Sequence, residues 1–213
     1  MELNILYEDK DIIVCVKPAG IATQSSRIGT PDMVSLLKNH LHGSAPDRQP
    51  YIAVIHRLDQ PVTGLLVFGK NKKAAAGLTR QLTSSGFGKH YLAVLSSIPA
   101  IDETGLTDYI TKDGRTNTSR ICSEDTPGAK EARLHYKIIK KEKDTAVADI
   151  VLDTGRHHQI RVQMANLGCP ILGDTKYGAS APGQLKLFAY RLTFKHPMTG
   201  KALKFTLDTS DIL

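Results

Sequence analysis

Apolar residues fall in short runs along this chain, and their spacing separates strands from helices. Leu3 to Tyr7 and Ile12 to Val16 flank the polar Glu8-Asp9-Lys10-Asp11, the pattern of a hairpin. Lys17-Pro18-Ala19-Gly20 closes it, because proline and glycine together end regular structure. Thr30-Pro31 reads as an N-cap with proline at the first helical position, and Leu36, Leu37 and Leu41 supply an apolar stripe up to Gly43. Residues 44–50, with Pro46, Asp47 and Pro50, read as a loop. Ala53-Val54-Ile55 and Leu65-Leu66-Val67-Phe68 read as short buried strands. Asn71 then caps a predicted helix with Ala74, Ala75, Leu78 and Leu82 at helical spacing, ending near Gly86, and Lys89 to Ser96 returns to a strand.

Residues 103–128 are weakly patterned and predict only hairpins and loops. Arg133 to Lys140 and Thr145 to Leu152 predict adjacent strands across a turn at Glu142-Lys143-Asp144, with Leu134, Tyr136 and Ile138 alternating. Ile160, Met164 and Leu167 have helical spacing, and Gly168 is placed to end that helix. Leu185 to Phe194 and Ala202 to Leu207 make the last predicted strands. Strands outnumber helices and short turns join them. The predicted class is therefore α+β: a mixed, mostly antiparallel sheet with a few flanking helices.

Between the strands at 53–55 and 65–68 lie His56, Arg57 and Asp59, followed by Pro61 and Gly64. Proline and glycine forbid a continuous strand, so these polar residues belong to a loop held by core strands. From spacing alone the segment reads equally as a catalytic loop or as a charged turn joining two strands.

Composition narrows the class. The 213 residues can form one domain with a substantial core, without internal repeats or linkers rich in Gly, Ser or Pro. No apolar run approaches the ~20 residues that cross a bilayer, and the start carries no secretory pattern. The three cysteines, Cys15, Cys122 and Cys169, are far apart, which predicts a reducing compartment, most simply cytoplasm. A net charge of +7, from 28 Lys and Arg against 21 Asp and Glu, favours a polyanionic partner without choosing it.

Beyond these patterns, His56-Arg57-Leu58-Asp59 with Thr63-Gly64 resembles the central motif of the RluA-type pseudouridine synthases. The likeness continues in family order. It takes in Tyr7-Glu8-Asp9, Ile12 to Val14 and Lys17 to Gly20, then Lys89-His90-Tyr91-Leu92-Ala93. Gly155 to Arg161, Gly168 to Asp174 and Tyr177-Gly178 resemble its longest signature, and Leu187 to Leu192, His196-Pro197 and Thr199-Gly200 its close. The resemblance implies a bent sheet in two halves with a central cleft, and an enzyme that isomerises uridine to pseudouridine in ribosomal or transfer RNA. It implies Asp59 as catalytic carboxylate, acting as nucleophile or as charge stabiliser, Arg161 as its counter-charge, and Tyr91 stacked on the flipped uracil. Taken alone, Arg161 is one polar position on an amphipathic helix and Tyr91 a half-buried strand tyrosine. Arg57, His56, Arg156, Lys89 and Lys70 are the expected RNA contacts, His56 more through shaping the loop than through proton transfer.

The chain is further expected to be a single catalytic domain over residues 1–213, monomeric, off the membrane, with no N-terminal RNA-binding module and no cofactor. No metal is expected, since His40 and His42, or His157 and His158, have no cysteine or carboxylate at familiar zinc spacing. Two departures stand out: Val62-Thr63-Gly64 where the family commonly has Thr-Ser-Gly, and Gln163 where it often has histidine. A catalytically silent RNA-binding or chaperone protein on the same fold is the rival reading. A glycosidase of free nucleosides is a third.

Overall fold

A computed structural model describes residues 3–25, 29–44, 49–84, 86–180, 182–210 and 212. In chain order the elements are β1 (Asn4–Glu8), β2 (Ile12–Lys17), α1 (Met33–Ser44), β3 (Ala53–Val54), β4 (Thr63–Gly69) and α2 (Lys72–Leu82). There follow β5 (Gly88–Leu95), β6 (Glu103–Asp113), β7 (Thr118–Cys122), β8 (Lys130–Glu142) and β9 (Thr145–Leu152). The chain continues with α3 (Gln159–Asn166), a 3-10 turn (Thr175–Tyr177), β10 (Leu187–Lys195) and β11 (Ala202–Thr206). The class is α+β, as the pattern predicts. Of the loop predicted over 44–50, residues 45–48 lie outside the described residues.

The chain forms two compact units. The first comprises Met1–Lys89 with Ala189–Asp208, the second His90–Phe188 with Thr209–Leu213. In the first unit the strand order is β1-β2-β4-β10, with β3 also on β4 and β11 on β10. β2 runs antiparallel to β4 with Ile12 opposite Gly69 and Lys17 opposite Gly64. Both strands are continuous apolar runs because both faces are covered. Ile12, Val14, Leu65 and Val67 pack with Ala74 and Leu78 of α2, Phe87 and Phe194. The alternate residues Ile13, Cys15, Leu66 and Phe68 are equally buried. Gly64 is required by the close approach of β10: a Cβ there would lie 2.4 Å from the Ala189 carbonyl oxygen, and its φ is +148°. Asn71 caps α2 as predicted, its side chain accepting from Ala74 N–H. For α1 the cap is Asp32, not Thr30: Asp32 Oδ1 accepts the Ser35 N–H at 2.7 Å while Ser35 Oγ accepts the Asp32 N–H at 3.0 Å.

In the second unit the order is β5-β9-β8-β6-β7. One face alternates inward through Tyr91, Ala93, Leu134, Tyr136, Ala148 and Ile150, while Arg133, His135 and Lys137 line the exposed face of β8. Within the stretch expected to form hairpins and loops, β6 and β7 make a hairpin, and β6 extends to eleven residues, longer than its weak pattern marks. Its Thr, Gly and Asp lie on a sheet one of whose faces is solvated, so half of its positions carry no apolar signal. Helix α3 buries Gln159, Ile160, Arg161, Val162, Gln163 and Met164. That differs from the predicted amphipathic stripe, whose last member, Leu167, is 36% exposed. Val162 packs on Ile110 and Ala132 beside Ile121 and Tyr177.

Candidate active site and nucleic-acid contacts

Asp59 stands on the loop between β3 and β4, half-buried, and its own carbonyl accepts from Val62 N–H at 3.0 Å to form the turn that Pro61 stiffens. Its chain neighbours are fixed from the segment after β2. Thr23 Oγ1 accepts the Leu58 N–H and donates to the Leu58 carbonyl, both at 3.1 Å. The Gln60 carbonyl accepts from Gly20 N–H at 2.9 Å, and the Gln60 amide donates back to the Gly20 carbonyl at 2.9 Å. Lys17, fully buried, donates its ammonium to the carbonyls of Pro18, Ile21 and Gln60 at 2.9, 2.7 and 2.9 Å. Burial pushes that ammonium down to about 8, partly offset by the Asp59 carboxylate. The peptide units on either side of Asp59 are therefore held by groups from the end of β2 and the segment that follows it. Such preorganisation suits a carboxylate that must meet a substrate at a set angle.

The neighbours of Asp59 divide. Arg57 is exposed, with Nη2 donating to Gln24 Oε1 at 2.8 Å. His56 turns inward: its Nε2 accepts from Val67 N–H at 3.4 Å and its ring meets Phe87 edge-on at 5.4 Å. Part of the residue reaches the surface, but Nδ1 is shut off from solvent. Burial, then the charge of Lys89, pushes the imidazole down to about 3, so it is neutral and offers a phosphate no charge. Lys89 is itself 9% exposed. Lys70 donates to Glu8 Oε1 at 2.6 Å and to the Asp9 carbonyl at 2.5 Å, which ties the β1–β2 turn to β4.

In the second unit Tyr91 lies buried on β5 opposite Ile150. The loop before α3 is set by Gln159, whose amide donates to the Arg133 carbonyl at 3.0 Å and accepts from Arg156 N–H at 2.9 Å and Thr154 Oγ1 at 2.8 Å. Arg156 is exposed and its Nε donates to the Glu131 carbonyl at 2.8 Å. His158 begins the helix at φ 54°, a left-handed conformation uncommon for a side chain of its size. Arg161 is buried, and Asp174 grips it edge-on: Nε and Nη2 each donate to one carboxylate oxygen at 2.7 Å. Within the second unit Asp174 is thus a carboxylate partner of this arginine. Gln163 Nε2 donates to Asp108 Oδ2 at 2.7 Å and to the Ala132 carbonyl at 3.3 Å.

Sequence reasoning gave no role to Lys17, Thr23, Asp174, Tyr177, Ser119 or His158. Lys17 carried a signal, a lysine at the end of an otherwise wholly apolar strand. Thr23 and Ser119 carried none. Among the described residues Asp9, Asp11 and His196 bring ligand-type atoms within 4.8 Å of one another. His196 Nδ1, however, accepts from Met198 and Thr199 N–H, so Nε2 keeps its proton and donates it to Asp9 Oδ2 at 2.8 Å. That trio reads as a hydrogen-bonded brace.

Comparison with known proteins bears on this geometry. The sequence profile described as RNA pseudouridylate synthase matches residues 11–166. Ribosomal large subunit pseudouridine synthase D of Vibrio cholerae is 34% identical over 99% of this chain and 68% of its own length. The protein of that name from Nitrosomonas europaea is 33% identical over 94% of this chain and 60% of its length. A Bacillus subtilis protein described as an uncharacterized RNA pseudouridine synthase, YlyB, is 33% identical over 96% and 68%. The chain thus spans roughly two thirds of the length of these relatives. In fold it is similar to Human RNA Pseudouridylate Synthase Domain Containing 4, with a TM-score of 0.79 at 20% identity, covering 96% of this chain and 88% of that one. On the strength of the matched profile and of the relatives' identity over nearly the whole chain, it belongs to the RNA pseudouridylate synthase family of enzymes.

Proposed function

We propose that this chain isomerises specific uridines to pseudouridine in structured RNA, with Asp59 as its catalytic carboxylate. The observation that carries the reading is the clamp on Asp59, whose flanking peptides are fixed by Thr23, Gly20 and the buried Lys17. In the reaction the bond from C1′ to N1 breaks, the base rotates, and C1′ joins C5; N1 gains a proton and C5 loses one. Asp59 acts on the first step, as nucleophile or by stabilising positive charge on the sugar, the roles carboxylates play in glycoside cleavage. Tyr91 stacks on the uracil, an interaction worth about 1–3 kcal/mol. Arg161 supplies positive charge to the site.

The target base must leave its stack, which costs a few kcal/mol in a duplex and less in a loop. Arg57, exposed beside Asp59, fills the gap or holds the displaced phosphate. Arg156 contacts backbone phosphates. Lys70, held by Glu8, and Lys89, buried beside His56, act at the edge of that surface, and His56 shapes the loop. The relatives' names favour RNA of the large ribosomal subunit, with transfer RNA the alternative. We place the enzyme in the cytoplasm as a monomer, its two units acting as one catalytic domain. Its three cysteines are free thiols, and burial pushes Cys15 up to about 12.

The test is tritium release from total cellular RNA labelled at uridine C5. Wild type is expected to release tritium and Asp59→Asn to do so at least about a thousandfold more slowly, the scale of removing a covalent or charge-stabilising group. Binding without release by wild type would instead identify a silent RNA-binding protein, and free uracil a glycosidase.

A further inference from the structure

A carboxylate that grips a guanidinium edge-on fixes it within its own plane but resists tilting out of that plane poorly. Asp174 holds Arg161 in this edge-on manner. The face of Arg161 is covered by Tyr177, whose ring centroid lies 5.1 Å from the guanidinium carbon. Tyr177 is in turn tethered at its hydroxyl, which accepts from Ser119 N–H at 2.8 Å and lies 2.7 Å from His158 Nδ1. Burial, then the charge of Arg161, pushes His158 down to about 3, so its ring is neutral and the contact with the phenol is a hydrogen bond between uncharged groups. The His158 ring meets the Tyr177 ring at 88° and 5.5 Å, and stacks on His157 at 3.7 Å. Ser119 belongs to β7, at the tip of the β6–β7 hairpin. Its Oγ donates to the His157 carbonyl at 2.7 Å and lies 2.9 Å from His157 Nδ1. Lys176 Nζ, next to Tyr177, donates to the Asn117 carbonyl of the same tip at 3.1 Å.

We infer that Tyr177 is a positioning residue for Arg161, and that Ser119 transmits the placement of the β6–β7 hairpin to it. Its catalytic consequence rests on the reading that Arg161 serves the isomerase reaction. The hairpin carries Lys112, Arg115 and Arg120 on its exposed positions. An RNA backbone lying against them would bear on the same latch that holds the arginine.

The experiment uses Tyr177→Leu, Tyr177→Phe and Ser119→Ala, and Tyr177→Leu combined with Arg161→Lys. Three quantities are read: hydrogen exchange of the Arg161 Nε–H by nitrogen-15 NMR, single-turnover tritium release from C5-labelled RNA at saturating enzyme, and filter binding of that RNA. Tyr177→Leu is expected to speed exchange and slow turnover by about tenfold each, with RNA affinity within about twofold. Tyr177→Phe keeps the ring over Arg161 but loses the hydroxyl that Ser119 N–H and His158 hold, so it speeds exchange by about threefold and restores most of the turnover. Ser119→Ala, which keeps that N–H, leaves exchange within about twofold. In the Arg161→Lys background Tyr177→Leu adds nothing further, since it acts through the residue already changed. Unchanged exchange in Tyr177→Leu, or in Tyr177→Phe should the leucine variant not fold, overturns the inference. So does a full additional loss in the double variant. A wild type that protects the Arg161 Nε–H yet releases no tritium removes the isomerase reading and leaves the positioning contact standing.

Discussion

The loop that carries Asp59 and the side chain of Arg161 are held by different kinds of contact. Around Asp59 the chain is gripped through its backbone, by carbonyls and N–H groups of Leu58 and Gln60 that meet Thr23, Gly20 and the Lys17 ammonium. Around Arg161 the grip falls on the side chain itself: a carboxylate on its edge, a phenol on its face, and a histidine and a serine behind the phenol. The difference follows from where the residues sit. A loop residue has no regular backbone bonds of its own, so the fold must supply them from elsewhere, or leave buried peptide groups unpaired. A helix residue has its backbone satisfied already, and only its long, rotamer-rich side chain needs ordering. Disturbing the first region should therefore unfold protein, and disturbing the second should misplace a charge in protein that stays folded.

The largest effect is expected at Lys17. Methionine there removes the ammonium from three carbonyls and leaves them facing an apolar tip in a fully buried site. The expected loss of stability is about 3–5 kcal/mol, the scale of breaking a buried charged group away from its partners. Denaturant unfolding of Lys17→Met would measure it; a loss below about 1 kcal/mol would mean that the carbonyls find water and the clamp is dispensable.

The contrast also marks what could be read from the chain. β2, β4 and α2 were legible because their signals are local: apolar runs, helical spacing, Asn71 at a cap. The site was legible only where it is contiguous, around His56 to Asp59 and Gly155 to Arg161. Its supports join positions far apart in sequence. Thr23 reaches Leu58, Lys17 reaches Gln60 and Ser119 reaches His157 and Tyr177, and none of these pairings leaves a periodic trace. Helix α3 misled for a physical reason. Its polar residues Gln159, Arg161 and Gln163 are buried against partners of their own, so polarity there does not mark a solvent face.

A smaller pair of effects tests the comparison hydroxyl by hydroxyl. Thr23→Val keeps shape but orphans both the N–H and the carbonyl of buried Leu58, at an expected cost of about 2–3 kcal/mol. Ser119→Ala removes a hydroxyl whose partners on half-exposed His157 can turn to water, so about 1 kcal/mol or less is expected. Thermal unfolding of the two variants side by side is the measurement. Equal losses would mean that backbone and side-chain support are not distinct here.

The smallest expected effect is one of slope. His56 in the first region and His158 in the second are each pushed from 6.5 down to about 3, chiefly by burial. A folded pKa below the unfolded one means that, between about pH 6.5 and pH 3, the unfolded chain binds a proton that the folded chain refuses. Stability contributed by each neutral imidazole is thus present above pH 6.5 and drains as pH falls through that window. Each histidine should add up to one proton, or about 1.4 kcal/mol per pH unit, to the acid-side slope. His158→Gln should remove one such increment while keeping a group able to hydrogen-bond to Tyr177, and His56→Gln should remove the other. The two regions then give equal increments although their supports differ, because burial is the leading cause in both. An acid-side slope that neither substitution changes would show that both imidazoles take up their protons in the folded state, through solvent that reaches Phe87 and Tyr177.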